Sequence, residues 1–393
     1  MNIVFLGPVC PLDKVEYIKQ ISSYFDYPAN VLEHALINGF SKNNNVTIVS
    51  SLRLKTKKIF VPQLQFLQEA DGSNKGVVLS HYIIPFFSQL FNARRKFRKV
   101  LELGVSPDII FVYSTRLDDI KSAYLLKKKF PNAKVINMIT DLPQFMRDGG
   151  SFAYRFMKKT ETRFVQKYMT KCVDGFVLLS KYMQEYLPAD SVPNIVVEGI
   201  FHPEKNNIEQ INKSKEKIVL YTGNLDARYG IKDLIDAFLL TRNQDFRLWL
   251  CGVGDAIEYI QSVSLRDSRI KYLGVLPRNV ITKLQKQATL LVNPRHSNEE
   301  YTKFSFPSKT MEYMASGTPT LMSPLLSLPE DYKKYLYVFD DESVEGMSKT
   351  IELICTRPLK ELEEFGARAQ NFILKNKTSY IQCERIMDFI SSV

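Results

Sequence analysis

The sequence predicts an α/β chain of two Rossmann-like domains, each a parallel sheet with helices on both faces. Short apolar runs alternate with longer amphipathic segments, the pattern of strands joined by crossover helices. The alternation breaks off at a polar, proline-bearing stretch and then starts afresh. A length of 393 residues accommodates two such cores, and 45% hydrophobic with 24% charged residues excludes a disordered or fibrous chain.

Taken in order, the first half offers strands at 3–6, 46–49, 109–113, 135–139 and 175–179. The opening MNIVFLGPVC has no basic residue ahead of its apolar run and no small-residue cleavage site, so it reads as a buried strand rather than a signal peptide. Helices are expected at 29–41, where Val31, Leu32, Ala35, Leu36 and Phe40 share a face, at 117–128 and at 151–170. Pro188, Pro193, Pro203 and the run KNNIEQINKSKEK mark 187–217 as the domain boundary, with its hinge near 199–206. Strands then follow at 218–223, 246–252, 270–274, 289–294, 319–323 and 335–339. Residues 356–393 end the chain with one or two helical segments. Ligands of open parallel sheets bind beyond the carboxyl ends of the strands, so the two domains are expected to face each other across a cleft with one ligand per side.

Charge is divided unevenly. Residues 1–200 hold 27 Lys and Arg against 17 Asp and Glu, a balance of +10, whereas 201–393 hold 26 against 25. In the first half Phe86, Phe87, Leu90, Phe91 and Phe97 lie among Arg94, Arg95, Lys96, Arg98 and Lys99, and a second cluster runs from Tyr154 and Arg155 through Lys158, Lys159, Arg163, Phe164 and Lys167 to Lys171. Such helices suit either an anionic membrane surface, each cation contributing about 1 kcal/mol, or an ordinary solvated basic face. No helix-turn-helix, zinc-finger or RNP-like pattern supports nucleic acid as a partner. Nothing approaches 18 uninterrupted apolar residues. Cys10, Cys172, Cys251, Cys355 and Cys383 lack CxxC spacing, which argues against a zinc site and a disulfide framework and fits a reducing cytoplasm. His34, His81, His202 and His296 show no metal-like spacing either.

The chemistry concentrates in residues 293–322. Pro307 suits the first turn of a short helix, Ser305 or Ser308 can cap it, and Gly317 with Pro319 stops it. The start of such a helix attracts anions, Lys309 adds a full charge there, and Glu312 one turn on can accept from a pair of sugar hydroxyls. A solvated surface helix is the plainer alternative. The stretch SFPSKTMEYMASGTPTL resembles the donor-site signature of retaining glycosyltransferases of the GT-B fold, in particular glycosyltransferase family 4 members that build exopolysaccharide and capsule, with a typical form near SFPSKxxEYxASGxPV. YTGNLDARYGIKDLIDAF resembles a second element of that family.

The resemblance implies a nucleotide-sugar donor site in residues 201–377, an acceptor domain in 1–200, and a last helix, about 378–393, crossing back to the first domain. Glu312 matches the second acid of the family's E-x7-E motif, expected on the ribose hydroxyls. The first acid falls at Phe304, for which Glu299 or Glu300 would substitute. The family's Arg and Lys in G-R-L-x-x-x-K-G fall at Asn224 and Tyr229, leaving Arg228, beside the second of these, as the replacement cation with Lys309 across the site. Arg295 is a further candidate. Ser308 and the strand-end glycines Gly223 and Gly252 complete the expected donor set; CGVGD is only a GxG. Asp141 matches the aspartate of the family's His-Asp pair, with Thr140 in the histidine's place, and serves either the acceptor or a local turn. Gly7 and Pro8 match the loop beneath the acceptor. Retention is implied, with the leaving phosphate taking the acceptor's proton. No DxD is found, and the acid pair Asp340–Asp341 lies near the C-terminus, so neither metal nor other cofactor is expected. The expected reaction moves a sugar from a nucleoside diphosphate, UDP first, to a lipid-linked glycan acceptor, on a cytoplasmic protein peripheral to the inner face of the membrane. The competing readings are a sugar-nucleotide epimerase and a catalytically silent subunit.

Overall fold

The computed structural model describes every residue except 53, 57–59, 67–73, 83–86, 141, 143–151, 188–191 and 204–212. The chain divides into two compact units, Met1–Ile200 with Ser379–Val393, and Phe201–Thr378.

The first unit contains β1 (Asn2–Gly7), α1 (Val15–Ile21), α2 (Tyr27–Ser41), β2 (Asn45–Ser50), β3 (Phe60–Val61), β4 (Leu64–Gln65), β5 (Asn74–Val78) and β6 (His81–Tyr82). It continues through α3 (Phe87–Glu102), β7 (Ile109–Tyr113), α4 (Leu117–Lys129), β8 (Lys134–Ile139), α5 (Phe152–Cys172), β9 (Gly175–Leu178) and β10 (Asn194–Val196). Its main sheet has the order β10-β9-β8-β7-β1-β2-β5-β4, parallel except for the β4–β5 pair, and β3 with β6 forms a separate antiparallel ribbon. β1 and β7 carry continuous apolar runs, and β8 does apart from Asn137, because both sheet faces are covered, and their residues are nearly all buried.

The second unit contains β11 (Lys217–Asn224), α6 (Ile231–Leu239), β12 (Phe246–Val253), α7 (Ile257–Ser264), β13 (Ile270–Gly274), α8 (Arg278–Gln287), β14 (Leu290–Asn293) and α9 (Ser308–Ala315). β15 (Thr320–Met322), β16 (Tyr337–Val338), α10 (Val344–Cys355) and α11 (Leu359–Asn376) follow. The sheet order is β13-β12-β11-β14-β15-β16, wholly parallel, and the core gathers Val219, Leu248, Leu290 and Leu321 against Ile231, Leu234, Phe238 and Ile351. The last helix, α12 (Ser379–Ser392), belongs to the first unit. It packs on α2, where the bare Gly39 lets Cys383 and the Ser379 carbonyl approach.

Several sequence expectations are corrected. The stretch read as a linker contains the edge strand β10. The strand expected at 335–339 shrinks to β16, because Glu330–Tyr335 wind into a 3-10 turn. On α2, Val31 and Leu32 are only half-buried, whereas Asn30 and Glu33 are buried. The basic cluster of α3 is not one solvated face: Lys96 is 0% exposed, pairing with Asp118 at 3.1 Å and with Asp119, and Arg95 donates to the Ser80 carbonyl at 2.7 Å. Exposed basic residues remain on α3 at Arg94 and Arg98 and on α5 at Arg155, Lys159, Arg163, Lys167 and Lys171, with Phe91 (55%) and Phe156 (66%) exposed among them. Phe86 lies outside the described residues.

Candidate functional site

In the second unit the strand order reverses at β11, which lies between β12 and β14. Such a switch point opens a crevice beyond the strand ends. The chain leaving β11, the chain leaving β14 and the start of α9 meet there.

Backbone economy makes the meeting possible. A Cβ on Gly223 (φ +135°) would stand 1.8 Å from Lys309 Cε, so the lysine lies across bare backbone, its ammonium 5.8 Å from the Tyr221 ring centre. A Cβ on Gly252 would stand 1.7 Å from the Gly223 carbonyl oxygen. Burial lowers the Lys309 pKa first, the nearby Arg295 guanidinium adds to this, and Glu312 opposes it. A cation held beside another cation gains from any anion that settles between them.

Two tyrosines bring the other cations in. Arg228 lies 5.0 Å from the ring centres of both Tyr229 and Tyr301, and Arg295 lies 4.9 Å and 5.4 Å from the same two rings. Arg295 also donates to Ser305 Oγ at 3.3 Å. The nearby acids are engaged elsewhere: Asp233 faces His296 at 2.9 Å, Asp226 accepts from the Asp255 N–H, and Asp255 accepts from the Ala227 N–H. Among the described residues none of the three cations forms an ion pair with a carboxylate.

Helix α9 starts at Ser308 with Pro307 as its N-cap and no side-chain cap. Neither Ser305 nor Ser308 caps it, contrary to the sequence expectation: Ser305 sits with Arg295, and Ser308 lies inside the helix. The uncapped first turn keeps the partial positive charge of the helix start, while the Thr310 N–H already donates to the Pro307 carbonyl at 2.9 Å. Gly317 ends the helix at φ +80°, as its C-terminal position requires. The buried Tyr313 accepts from the Thr222 N–H at 2.9 Å and so ties α9 to β11. Half-buried Glu312 accepts from the buried Gln285 of α8 at 3.1 Å, which fixes one carboxylate oxygen.

The structure therefore brings together Gly223, Arg228, Gly252, Arg295, Lys309 and Glu312, with Asn224 and Ser308 exposed at the rim. Phe304 is buried, and Glu299 and Glu300 are exposed. Tyr301 and Gln285 were not foreseen. Tyr301 sits within EEYTKF, where an aromatic beside two arginines in space leaves no local trace, and Gln285 has no signal beyond its place on an amphipathic helix. Asp141 lies outside the described residues. Gly7 and Pro8 lie at the end of β1 in the first unit, where Pro8 and Thr140 line a cavity of about 130 Å³.

Three cations, a helix start and a fixed carboxylate suit a diphosphate joined to a diol. Charge that develops on leaving phosphate would meet preorganised donors there, an effect worth several kcal/mol.

Residues 203–372 match the family described as Glycosyl transferases group 1, a match that covers most of the second unit. No curated protein matches the chain by sequence. Similar solved structures include Anabaena HepE in complex with UDP (14% identity, all of both chains, TM-score 0.66). Sucrose-phosphate synthase from Thermosynechococcus elongatus is also similar (14%, all of this chain and 99% of that one, TM-score 0.65), as is a glycosyltransferase from Rickettsia africae (14%, 100% and 98%, TM-score 0.63). The likeness at this identity speaks for the fold, which is GT-B, with two parallel-sheet Rossmann-like domains. The domain match in the second unit indicates a glycosyltransferase.

Proposed function

We propose that this chain is a retaining glycosyltransferase of the family 4 type that moves a sugar from a nucleoside diphosphate donor to a lipid-linked oligosaccharide or polysaccharide in surface-polysaccharide synthesis. The observation that carries the donor half is the gathering of Arg228, Arg295 and Lys309, without ion-pair partners among the described residues, at the uncapped start of α9. Glu312, held by Gln285, accepts from the ribose hydroxyls. UDP is the first nucleotide to try, because HepE has been solved with UDP and with UDP-glucose. Neutralisation by three side-chain cations makes the reaction metal-independent in this reading, and Asp341 is occupied by Ser343 at the start of α10. Residues 201–377 take the donor. Residues 1–200 with the helix at about 378–393 take the acceptor, Gly7 and Asp141 standing on that side.

The protein works in the cytoplasm, peripheral at the inner face of the membrane, through the exposed cations and phenylalanines of α3 and α5. Among the described residues no helix is long and apolar enough to cross a membrane. The silent-subunit reading draws on Phe304, Asn224 and Tyr229.

The test is transfer of labelled sugar from UDP-glucose, UDP-galactose, UDP-N-acetylglucosamine or GDP-mannose into a lipid extract carrying short glycans. Transfer from one donor, reduced about 100-fold in Lys309→Ala, supports the reading; loss of one such donor group typically costs that much. Tight nucleotide binding with no transfer to any acceptor would give the silent subunit instead.

A further inference from the structure

The first unit has its own strand-order switch, between β1 and β7, and the cavity of about 130 Å³ opens there. Its wall comes from the chain after β1 (Pro8), after β2 (Leu52, Leu54), after β7 (Ser114, Thr115, Arg116) and from α2 (Asn30, Glu33). Two polar groups on α2 stand out. Glu33 is 1% exposed and its Oε1 has no hydrogen-bond partner among the described residues. Asn30 is 2% exposed: its Oδ1 accepts from the Cys10 N–H at 2.7 Å, while its Nδ2 has no partner among the described residues. Buried polar groups are rarely left unmatched, and two on one cavity wall point to something that matches them. Gly7 leaves the room for this, since a Cβ there would stand 2.6 Å from Glu33 Oε1.

Beside the cavity lies a buried charge network. Lys96 joins Asp118 and Asp119, Arg116 Nε stands 3.2 Å from Asp118, and Ser114 Oγ donates to Asp119 at 2.9 Å. Two cations thus face two partnered aspartates, and Glu33 is the third carboxyl. Burial and then Asp119 push the Glu33 carboxyl well above the usual carboxylate range, with Asp26 adding and Arg116 and Lys96 opposing. Asp118 is held at about 2, because Arg116 and Lys96 outweigh its burial. Burial and Asp119 thus favour the protonated form of Glu33, which offers a donor and an acceptor together, while Asn30 offers a donor. That set matches the vicinal hydroxyls of a neutral sugar and repels neither.

Resting on the reading that this unit takes the acceptor, we propose that the cavity is a subsite for a single uncharged sugar ring of the acceptor, with Glu33 and Asn30 as its specificity-determining residues. Its small volume admits one ring rather than a chain.

The experiment titrates methyl glycosides of glucose, galactose and N-acetylglucosamine, with glucose 6-phosphate as a charged control, into the full chain saturated with UDP, following ligand signals by NMR. One neutral glycoside binds; Glu33→Gln, which keeps a donor and an acceptor, holds its affinity within about threefold, and Glu33→Ala loses about tenfold or more. Ala29→Phe, which narrows the cavity without touching the buried charges, abolishes binding in a chain whose unfolding temperature is unchanged. Wild-type affinity falls as pH rises through the Glu33 titration, which Arg116, Asp118, Asp119, Lys96, Asp26 and Cys10 surround, and Glu33→Gln shows no such fall. Equal affinity in wild type, Glu33→Ala and Ala29→Phe, or no glycoside binding while UDP binds, overturns the subsite and leaves the donor reading standing. Absence of UDP binding to the wild type overturns the donor reading itself.

Discussion

At the scale of single residues, the site depends on who holds whom. Glu312 was legible in the sequence from its place in a motif, but its support was not, because Gln285 lies 27 positions away and only the sheet brings them together. Hydrogen bonds to a charged group contribute about 1.5–3 kcal/mol, so freeing the carboxylate should matter. Gln285→Leu is expected to weaken UDP binding about tenfold while the unfolding temperature stays close to that of the wild type; calorimetric titration checks it, and unchanged affinity would mean that Glu312 needs no anchor. Arg228 and Arg295 were legible as cations, yet the tyrosine pair that aligns them was not: Tyr229 read as a lost lysine and proved to be a platform. Glu33 carries a prediction of its own. Its folded pKa lies above the unfolded value of about 4.3, so the folded state binds the extra proton, and this contribution to stability is complete below that value and is lost as pH rises through the folded pKa. Glu33→Gln should therefore gain unfolding temperature over the wild type as pH is raised from 5 to 8. Parallel curves would contradict a raised Glu33.

At the scale of elements, strands announce themselves by composition. The runs that became β1, β7 and β11 are apolar on both faces, as strands of a covered parallel sheet are. Short elements were harder to read. β10 has three half-buried residues at a sheet edge, and its short Ile195-Val196 run stands beside Pro193 in a stretch whose prolines signal a linker; the cap of α9 was misassigned, Ser305 sitting with Arg295 instead. Helix α12 offers the sharpest test of packing at this scale. A Cβ on Gly39 would stand 2.4 Å from Cys383 Sγ and 2.5 Å from the Ser379 carbonyl oxygen, and backbone gives way poorly. Gly39→Val is expected to destabilise the first unit by about 1–3 kcal/mol, seen as a lower denaturant midpoint, whereas a wild-type midpoint would show that α12 packs more loosely than described.

At the scale of the whole molecule, the charge imbalance of the first 200 residues was plain in the sequence, but its presentation was not. Lys96 turned inward to two aspartates, and among the described residues α5 carries the largest group of exposed cations, Arg155, Lys159, Arg163, Lys167 and Lys171. Replacing Arg155, Lys159 and Arg163 with Gln should weaken binding to vesicles containing anionic lipid about tenfold or more in a flotation assay, whereas Arg95→Gln should not; equal binding of the triple variant would remove the membrane role. The central claim is narrower: the crevice beyond β11 and β14 is a nucleoside diphosphate site. The measurement that tests it most directly is a calorimetric titration of UDP, GDP and ADP into wild type and Glu312→Ala, with and without a chelator. The account predicts that one nucleotide binds at about micromolar affinity, that Glu312→Ala weakens it about tenfold to hundredfold, and that the chelator changes nothing. No binding of any of the three, or binding indifferent to Glu312→Ala, would contradict it.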